Sequence, residues 1–386
     1  MDAAIRDCSD ATLSWLAHLV ACETVSGAAS NLDLLRRVDG ALRGMGFAIR
    51  YTYSPDRQRA NLYASLGGEV GGVLLSGHTD VVPVAGQEWS RPPFTLTREG
   101  DRVFGRGVCD MKGFLACVLA VLERLDRKAL RQPVHVAFTF DEEIGCVGVR
   151  SLLEDLHVFG IRPAACVVGE PTRMCVVRAH KGRHALRCAV VGRAEHSSLS
   201  GTGVNAAEVA CALVAEIARQ ADQLARSEVD GDFYVPYSTL AVCRVQAGQA
   251  TNVIPERAEF DFDLRFLPSA DPDAVLAPIH AHAAELQRRM RARVGSSRIE
   301  VSRRTAVPAL LPTAAEEAIV ERLFQAGAAR GSHVAFTTEA GLYQAAGIPT
   351  VVCGPGDIAQ AHTADEFITL AQLALCEDML ARLLAP

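Results

Sequence analysis

The chain has 386 residues, long enough for two domains with separate cores, and a composition of 49% hydrophobic and 22% charged residues that excludes a disordered or fibrous protein. A formal net charge of −6 gives no electrostatic reason to expect nucleic acid or an anionic membrane as partner, and the pairs Arg288-Arg289 and Arg303-Arg304 read as solvated faces. Met1 to Asp7 shows no export signal, and the longest apolar run, Phe114 to Leu122, is far shorter than a membrane span. Twelve cysteines, none in a Cys-x-x-Cys pair and several inside apolar runs, point to free thiols in a reducing, cytoplasmic setting.

In chain order, a helical pattern (Leu13, Leu16, Leu19, Val20) opens an α/β region that runs to about Cys175. Gly72 to Gly77, Pro133 to Phe140 and Ala164 to Gly169 read as buried strands, and Gly113 to Leu125 as a buried helix. From about Gly182 the character changes to strand His184 to Val191, helix Val204 to Gln220, strands Thr239 to Gln246 and Arg257 to Phe266, helix Asp271 to Val294 and strand Arg298 to Arg303. That βαββαβ order is a two-layer α+β unit able to fold by itself. The α/β pattern resumes after Pro308 with a helix near Ala315 to Arg330, a strand Pro349 to Cys353 and a closing helix from about Ala371. The expected domains are therefore 1–181 with 308–386, forming one domain, and 182–307 inserted between them.

Candidate ligand residues recur just after the apolar strands of the α/β part: His78 and Asp80, then Asp141, Glu142 and Glu143, then Glu170, then His362 one loop beyond the last strand. In open α/β sheets ligands bind outside the carboxyl ends of the strands, so these side chains converge on one crevice. Asp110, in the glycine-spaced loop Gly105 to Gly113 before the buried helix, belongs with them, and a role as helix N-cap is compatible with ligation. Imidazole nitrogen and carboxylate oxygen suit Zn²⁺, Co²⁺ or Mn²⁺. Two ions fit better than one: one aspartate bridges, a histidine and a glutamate serve each ion, and a shared water loses its proton near neutrality. Asp80, two residues beyond His78, is placed to hold the imidazole's other N–H. Of Glu142 and Glu143, one ligates and the other remains free as general base.

The runs Ser76-Gly-His-Thr-Asp-Val-Val-Pro83, Gly105-Arg-Gly-Val-Cys-Asp-Met-Lys-Gly113, Asp141-Glu-Glu143, Gly169-Glu-Pro-Thr172 and Gln360-Ala-His362 resemble the co-catalytic metallohydrolases that include acetylornithine deacetylase, succinyl-diaminopimelate desuccinylase, aminoacylases and carboxypeptidases. The resemblance spans essentially the whole chain. It implies a zinc-exopeptidase-like catalytic domain, a mixed sheet between helices, with an inserted lid and dimerisation domain. By motif it implies His78 and Glu170 on one zinc, Glu143 and His362 on the other, Asp110 bridging, Glu142 as base and Asp80 as the partner of His78. It also implies that His196 of the lid stabilises the oxyanion across a homodimer. Arg178-Ala-His-Lys-Gly182 and Thr338-Glu-Ala340 are most similar to the acetylornithine branch, so the expected partner is a small N-acyl amino acid, with N-acetylornithine first and aminoacylase or dipeptidase substrates as alternatives. Glu339 is then expected to pair with the substrate's side-chain ammonium, and Arg265 with Asn252 to hold its α-carboxylate. A catalytically silent scaffold would have lost a ligand or the base, and neither is lost.

Overall fold

A computed structural model describes residues 7–227 and 229–385. The start of the chain, where the sequence shows no export signal, lies mostly outside the described residues. The chain divides into two compact units, the first comprising Met1–Ala179, Leu311–Ser332 and Thr338–Pro386, the second His180–Leu310 and His333–Thr337. The second unit thus begins two residues before the expected boundary and ends three residues after it. It also takes back five later residues, because Val334 accepts from the Lys181 N–H (3.3 Å) and the Thr337 hydroxyl donates to the Lys181 carbonyl (2.8 Å).

In the first unit six strands form one mixed sheet in the order Ala48–Tyr53, Ala60–Leu66, Val134–Thr139, Val73–His78, Ala165–Pro171, Thr350–Gly354. The last four run parallel, and the first two add an antiparallel edge. The four parallel strands are mostly apolar and buried along their length, as strands covered on both faces must be. Helix Lys112–Glu123 is buried through Leu122 and packs against helices Asp10–Val20 and Leu370–Leu383. Lys112 heads it without reaching solvent, its ammonium donating to the Leu19 and Cys22 carbonyls (both 2.9 Å) at the end of the first helix. The Leu19 carbonyl carries the negative end of the first helix's dipole, which offsets part of the cost of a buried cation.

One expected helix is shorter than its pattern. The helix near Ala315 to Arg330 is confined to Glu317–Gln325, because Gly327 takes a left-handed conformation (φ 102°) and Ala329–Arg330 then pairs in parallel with Cys175–Val176. In the second unit an antiparallel sheet, ordered Thr239–Ala247, Arg257–Phe266, Gly182–Val191, Arg298–Val307, is covered on one face by helices Ala206–Leu224 and Pro272–Arg293. Alternation along its strands puts Leu186, Cys188, Phe260 and Phe262 into the core with Leu213, Ile217 and Ile279. No helix among the described residues is long and apolar enough to cross a membrane.

Gly169 shows how tightly the sheet is packed where it approaches the candidate ligands. A Cβ there would lie 2.0 Å from the ring of Phe114, which is fully buried and cannot swing aside. Gly169→Ala is expected to cost about 1–3 kcal/mol by overpacking. Thermal or urea denaturation checks this, and an unchanged midpoint would show the contact to be slack.

Candidate metal centre

The carboxyl ends of the parallel strands bring the sequence-selected side chains of the first unit together. His78 is the last residue of its strand, and Glu170 lies near the end of the neighbouring one. Asp141, just past a third strand, adopts a left-handed conformation (φ 54°), and Arg59 (2.7 Å) and the Gly27 N–H (2.8 Å) hold its carboxylate. This turn sends Glu142 and Glu143 back over the sheet. Asp110 ends the loop before the buried helix, whose N-cap position is taken by Met111 and not by Asp110.

The geometry centres on Asp110. Its Oδ1 lies 3.0 Å from His78 Nε2, and its Oδ2 lies 3.3 Å from His362 Nε2. Glu170 Oε1 is 3.6 Å from His78 Nε2, and Glu143 Oε1 is 3.0 Å from His362 Nε2. Two groups, each with one histidine and one glutamate, therefore share one aspartate, with one oxygen turned toward each. Potential ligand atoms of His78, Asp110 and Glu143 lie within 4.8 Å of one another, as do those of His78, Glu142 and Glu170.

Asp80 differs in detail from expectation. His78 Nδ1 is 2.9 Å from the main-chain carbonyl of Asp80 but 3.6 Å from its carboxylate. A carbonyl only accepts, so Nδ1 carries a proton, and Nε2 is left to face Asp110, donating to it when protonated and offering its lone pair to a metal when that proton is lost. The Asp80 carboxylate instead accepts from the N–H groups of Glu142 (3.1 Å) and Glu143 (3.3 Å) and from the Ser26 hydroxyl (2.6 Å). It fixes the turn that carries both glutamates. Neither Ser26 nor Arg59 stood out in the sequence, since each lies outside the strand-end motifs.

The electrostatics of the cluster are those of acids crowded away from water. Burial pushes the Glu142 and Glu170 carboxyls well above the usual range, partly opposed by His78 and reinforced by neighbouring carboxylates. Burial and then Asp110 raise Glu143. Burial acts on Asp110 too, but hydrogen bonds from both imidazoles hold it below the carboxylate range. Hydrogen bonds donated to Asp110 and Glu143 lift His362 to about 10. Burial opposes charge on His78, yet Asp110, Glu170 and Asp80 outweigh it and raise it. Such a set keeps protons wherever divalent cations would take their place, and its nitrogen and oxygen donors match Zn²⁺, Co²⁺ or Mn²⁺. The residues fit a metal centre.

Glu339, also in the first unit, is buried, and no hydrogen bond of good geometry reaches either carboxylate oxygen, although the Thr139 hydroxyl lies beside it. Burial raises its pKa to about 7 against the pull of His78. The second unit holds the other selected residues. His196 is exposed and pairs with Val253, next to Asn252, whose carbonyl accepts from the Ser197 N–H (3.0 Å). Arg265 is half-buried, tied to Asp263 (2.8 Å) and the Thr337 hydroxyl (3.1 Å).

The fold and this centre define a metal-dependent hydrolase with its ligands at the carboxyl edge of a mixed sheet. Residues 74–385 match the model of peptidase family M20/M25/M40, and the chain belongs to that family. Among curated relatives, it is 34% identical to the acetylornithine deacetylase of Klebsiella pneumoniae (strain 342), over 88% of this chain and 86% of the relative. It is 32% identical to the acetylornithine deacetylase of Proteus mirabilis (strain HI4320), over 92% of this chain and 90% of the relative. Among solved structures, an M20 family metallo-carboxypeptidase of Sulfolobus solfataricus superposes with a TM-score of 0.77 at 18% identity, covering 97% of this chain and 99% of that one. A tripeptidase of Staphylococcus aureus gives 0.75 at 16% identity, covering 98% of each chain.

The sharing of Asp110 separates the ligands by their effect on stoichiometry. Elemental analysis after metal loading is expected to show Asp110→Ala losing both ions, while Glu170→Ala and His362→Ala each lose one. Retention of both ions by Asp110→Ala would contradict a bridging position.

Proposed function

We propose that the protein removes the acyl group from the α-nitrogen of a small amino acid, N2-acetyl-L-ornithine being the substrate and L-ornithine and acetate the products, in the cytoplasm and in service of arginine biosynthesis. The observation that carries the reading is a buried glutamate, Glu142, beside the cluster: its carboxylate accepts from the weakly donating Cys146 thiol (3.3 Å), whereas Asp110, Glu170 and Glu143 face histidines and Asp80 accepts from backbone N–H groups. The identity with acetylornithine deacetylases over about nine-tenths of the chain supports the substrate. Twelve free cysteines support the compartment.

Two divalent cations, zinc first with cobalt or manganese as alternatives, would polarise the acyl carbonyl and lower the pKa of a water between them. His78 and Glu170 would hold one, His362 and Glu143 the other, and Asp110 both. Glu142 accepts the water's proton as its oxygen adds to the carbonyl carbon, then delivers that proton to the departing amine nitrogen. Burial raises its pKa, which makes it a stronger base than an exposed carboxylate. We assign the developing oxyanion to His196, brought by the second copy of a homodimer formed through the lid unit. The Nδ1 of His196 accepts from the Ser198 N–H (3.1 Å), which leaves the proton of the neutral ring on Nε2 as a donor.

For the amino-acid part, Arg265 and Asn252 take the α-carboxylate. Asp263 pairs with both Arg183 (2.6 Å) and Arg265 (2.8 Å), so two guanidinium groups share one carboxylate and positive charge is left over for an anion. Glu339 takes the side-chain ammonium, which supports a basic substrate because its buried oxygens otherwise lack partners.

Glu142→Ala is expected to keep its metal while hydrolysis falls about 10²–10⁴-fold, measured as acetate release alongside metal content. Normal turnover in that variant would remove Glu142 from the chemistry. In a panel of N-acetylornithine, N-acetylcitrulline, N-acetylmethionine, N-succinyl-diaminopimelate and dipeptides, N-acetylornithine is expected to give the highest kcat/KM. Glu339→Gln should narrow its lead over N-acetylmethionine, and an unaltered ratio would take Glu339 out of the binding site.

A further inference from the structure

The loop that carries Asp110 and the loop that carries His362 are joined by a ring of contacts, most of them buried, in which Glu366 and Gln87 lie outside the motifs above. Glu366, four residues beyond His362, is 1% exposed and faces the loop Gly105 to Asp110. Its Oε2 accepts from the Gly107 N–H (2.9 Å) and from Arg106 (2.8 Å), and its Oε1 accepts from the N–H groups of Cys109 (2.9 Å) and Asp110 (3.1 Å). The Glu366 carbonyl also accepts from the Gly105 N–H (3.0 Å). Arg106, itself 1% exposed, returns toward the other loop. It reaches the Thr363 carbonyl (3.3 Å) and the Gln87 side-chain oxygen, and its guanidinium lies over Trp89 at 4.9 Å. Gln87 closes the ring by donating to the main-chain carbonyl of His362 (2.7 Å).

We infer that Glu366 and Gln87 are positioning residues that, through Arg106, lock the backbones of Asp110 and His362 to each other and so fix the spacing of the metal centre. The chemistry explains the residue types. Only a carboxylate offers acceptor sites on two oxygens and no donor, and four converging N–H groups occupy them. An amide in its place keeps one acceptor oxygen and turns an NH₂ toward donors, which disrupts about half of the contacts. The turn beyond His362 helps: His362 and Asp365 both take left-handed conformations (φ 61° and 54°), and the chain bends back so that a residue four positions on reaches the Asp110 loop. Partners that orient ligands from behind matter to metal affinity by about ten- to a hundred-fold.

The inference rests on the ligand assignment but not on the substrate, and its test reads the metal directly. Co²⁺ titrated into the metal-free full-length chain, followed by its visible absorption and by calorimetry, gives affinity, stoichiometry and ligand geometry. Wild-type protein that fails to bind two ions would sink the metal centre itself, and with it this inference. Given two ions in the wild type, Glu366→Gln is expected to weaken binding about ten- to a hundred-fold and to shift the Co²⁺ spectrum, with Glu366→Asp recovering part of both. Gln87 is only half-buried, so Gln87→Ala keeps the fold and the Asp110 side of the ring. It is expected to weaken the ion held by His362 several-fold and leave the other unchanged. Wild-type affinity and spectrum in Gln87→Ala, or a Glu366→Gln protein that loses melting temperature alone, would overturn the inference.

Discussion

Negative charge buried at the end of a sheet is the constraint from which the rest of this molecule follows. Asp80, Asp110, Glu142, Glu170 and Glu339 are each less than a tenth exposed, and a solitary buried carboxylate would be strongly destabilising. Such a cluster is tolerable only if protons, imidazolium groups or metal ions balance it, and the balance has to be reversible for catalysis. The raised carboxyl and histidine pKa values describe the cluster balanced by protons. Divalent cations would release those protons and leave the same side chains as ligands.

The surroundings of the cluster are held in place by carboxylates bound to the loops behind it. Asp141 is held by Arg59 and by a backbone N–H, Asp80 by a serine hydroxyl and two backbone N–H groups, and Glu366 by an arginine and three backbone N–H groups. Backbone donors are costly to leave unpaired in the interior, so each of these carboxylates satisfies the loop while the loop fixes the carboxylate. The parallel strands beneath supply rigidity, since Gly169 and Gly354 approach neighbouring atoms too closely for any side chain. Function thus sits on short loops carried by a tightly packed sheet.

Much of this was legible in the sequence because strand periodicity and strand-end position are local properties. The runs Gly72 to Gly77, Pro133 to Phe140 and Ala164 to Gly169 announced the buried strands that end at His78, Thr139 and Pro171, and the polar residues at their ends announced the crevice. The βαββαβ order of the second unit was legible for the same reason, its two central strands, Gly182–Val191 and Arg257–Phe266, alternating cleanly. Tertiary contacts were not legible. Glu366 looks like any acid before a short strand, and only the fold shows that it reaches residues more than 250 positions earlier. Nothing in the strand pattern showed that the carbonyl of Asp80, and not its carboxylate, makes the shorter contact with His78. The return of His333–Thr337 to the second unit depends on pairing with Lys181, which no local pattern encodes.

The most direct test of the account is anomalous diffraction at the zinc absorption edge from crystals of the zinc-loaded protein. Two peaks about 3.5–4 Å apart are expected, one on each side of the Asp110 carboxylate, the first within bonding distance of His78 and Glu170 and the second of His362 and Glu143. A single peak, or two peaks lying away from Asp110, would contradict it.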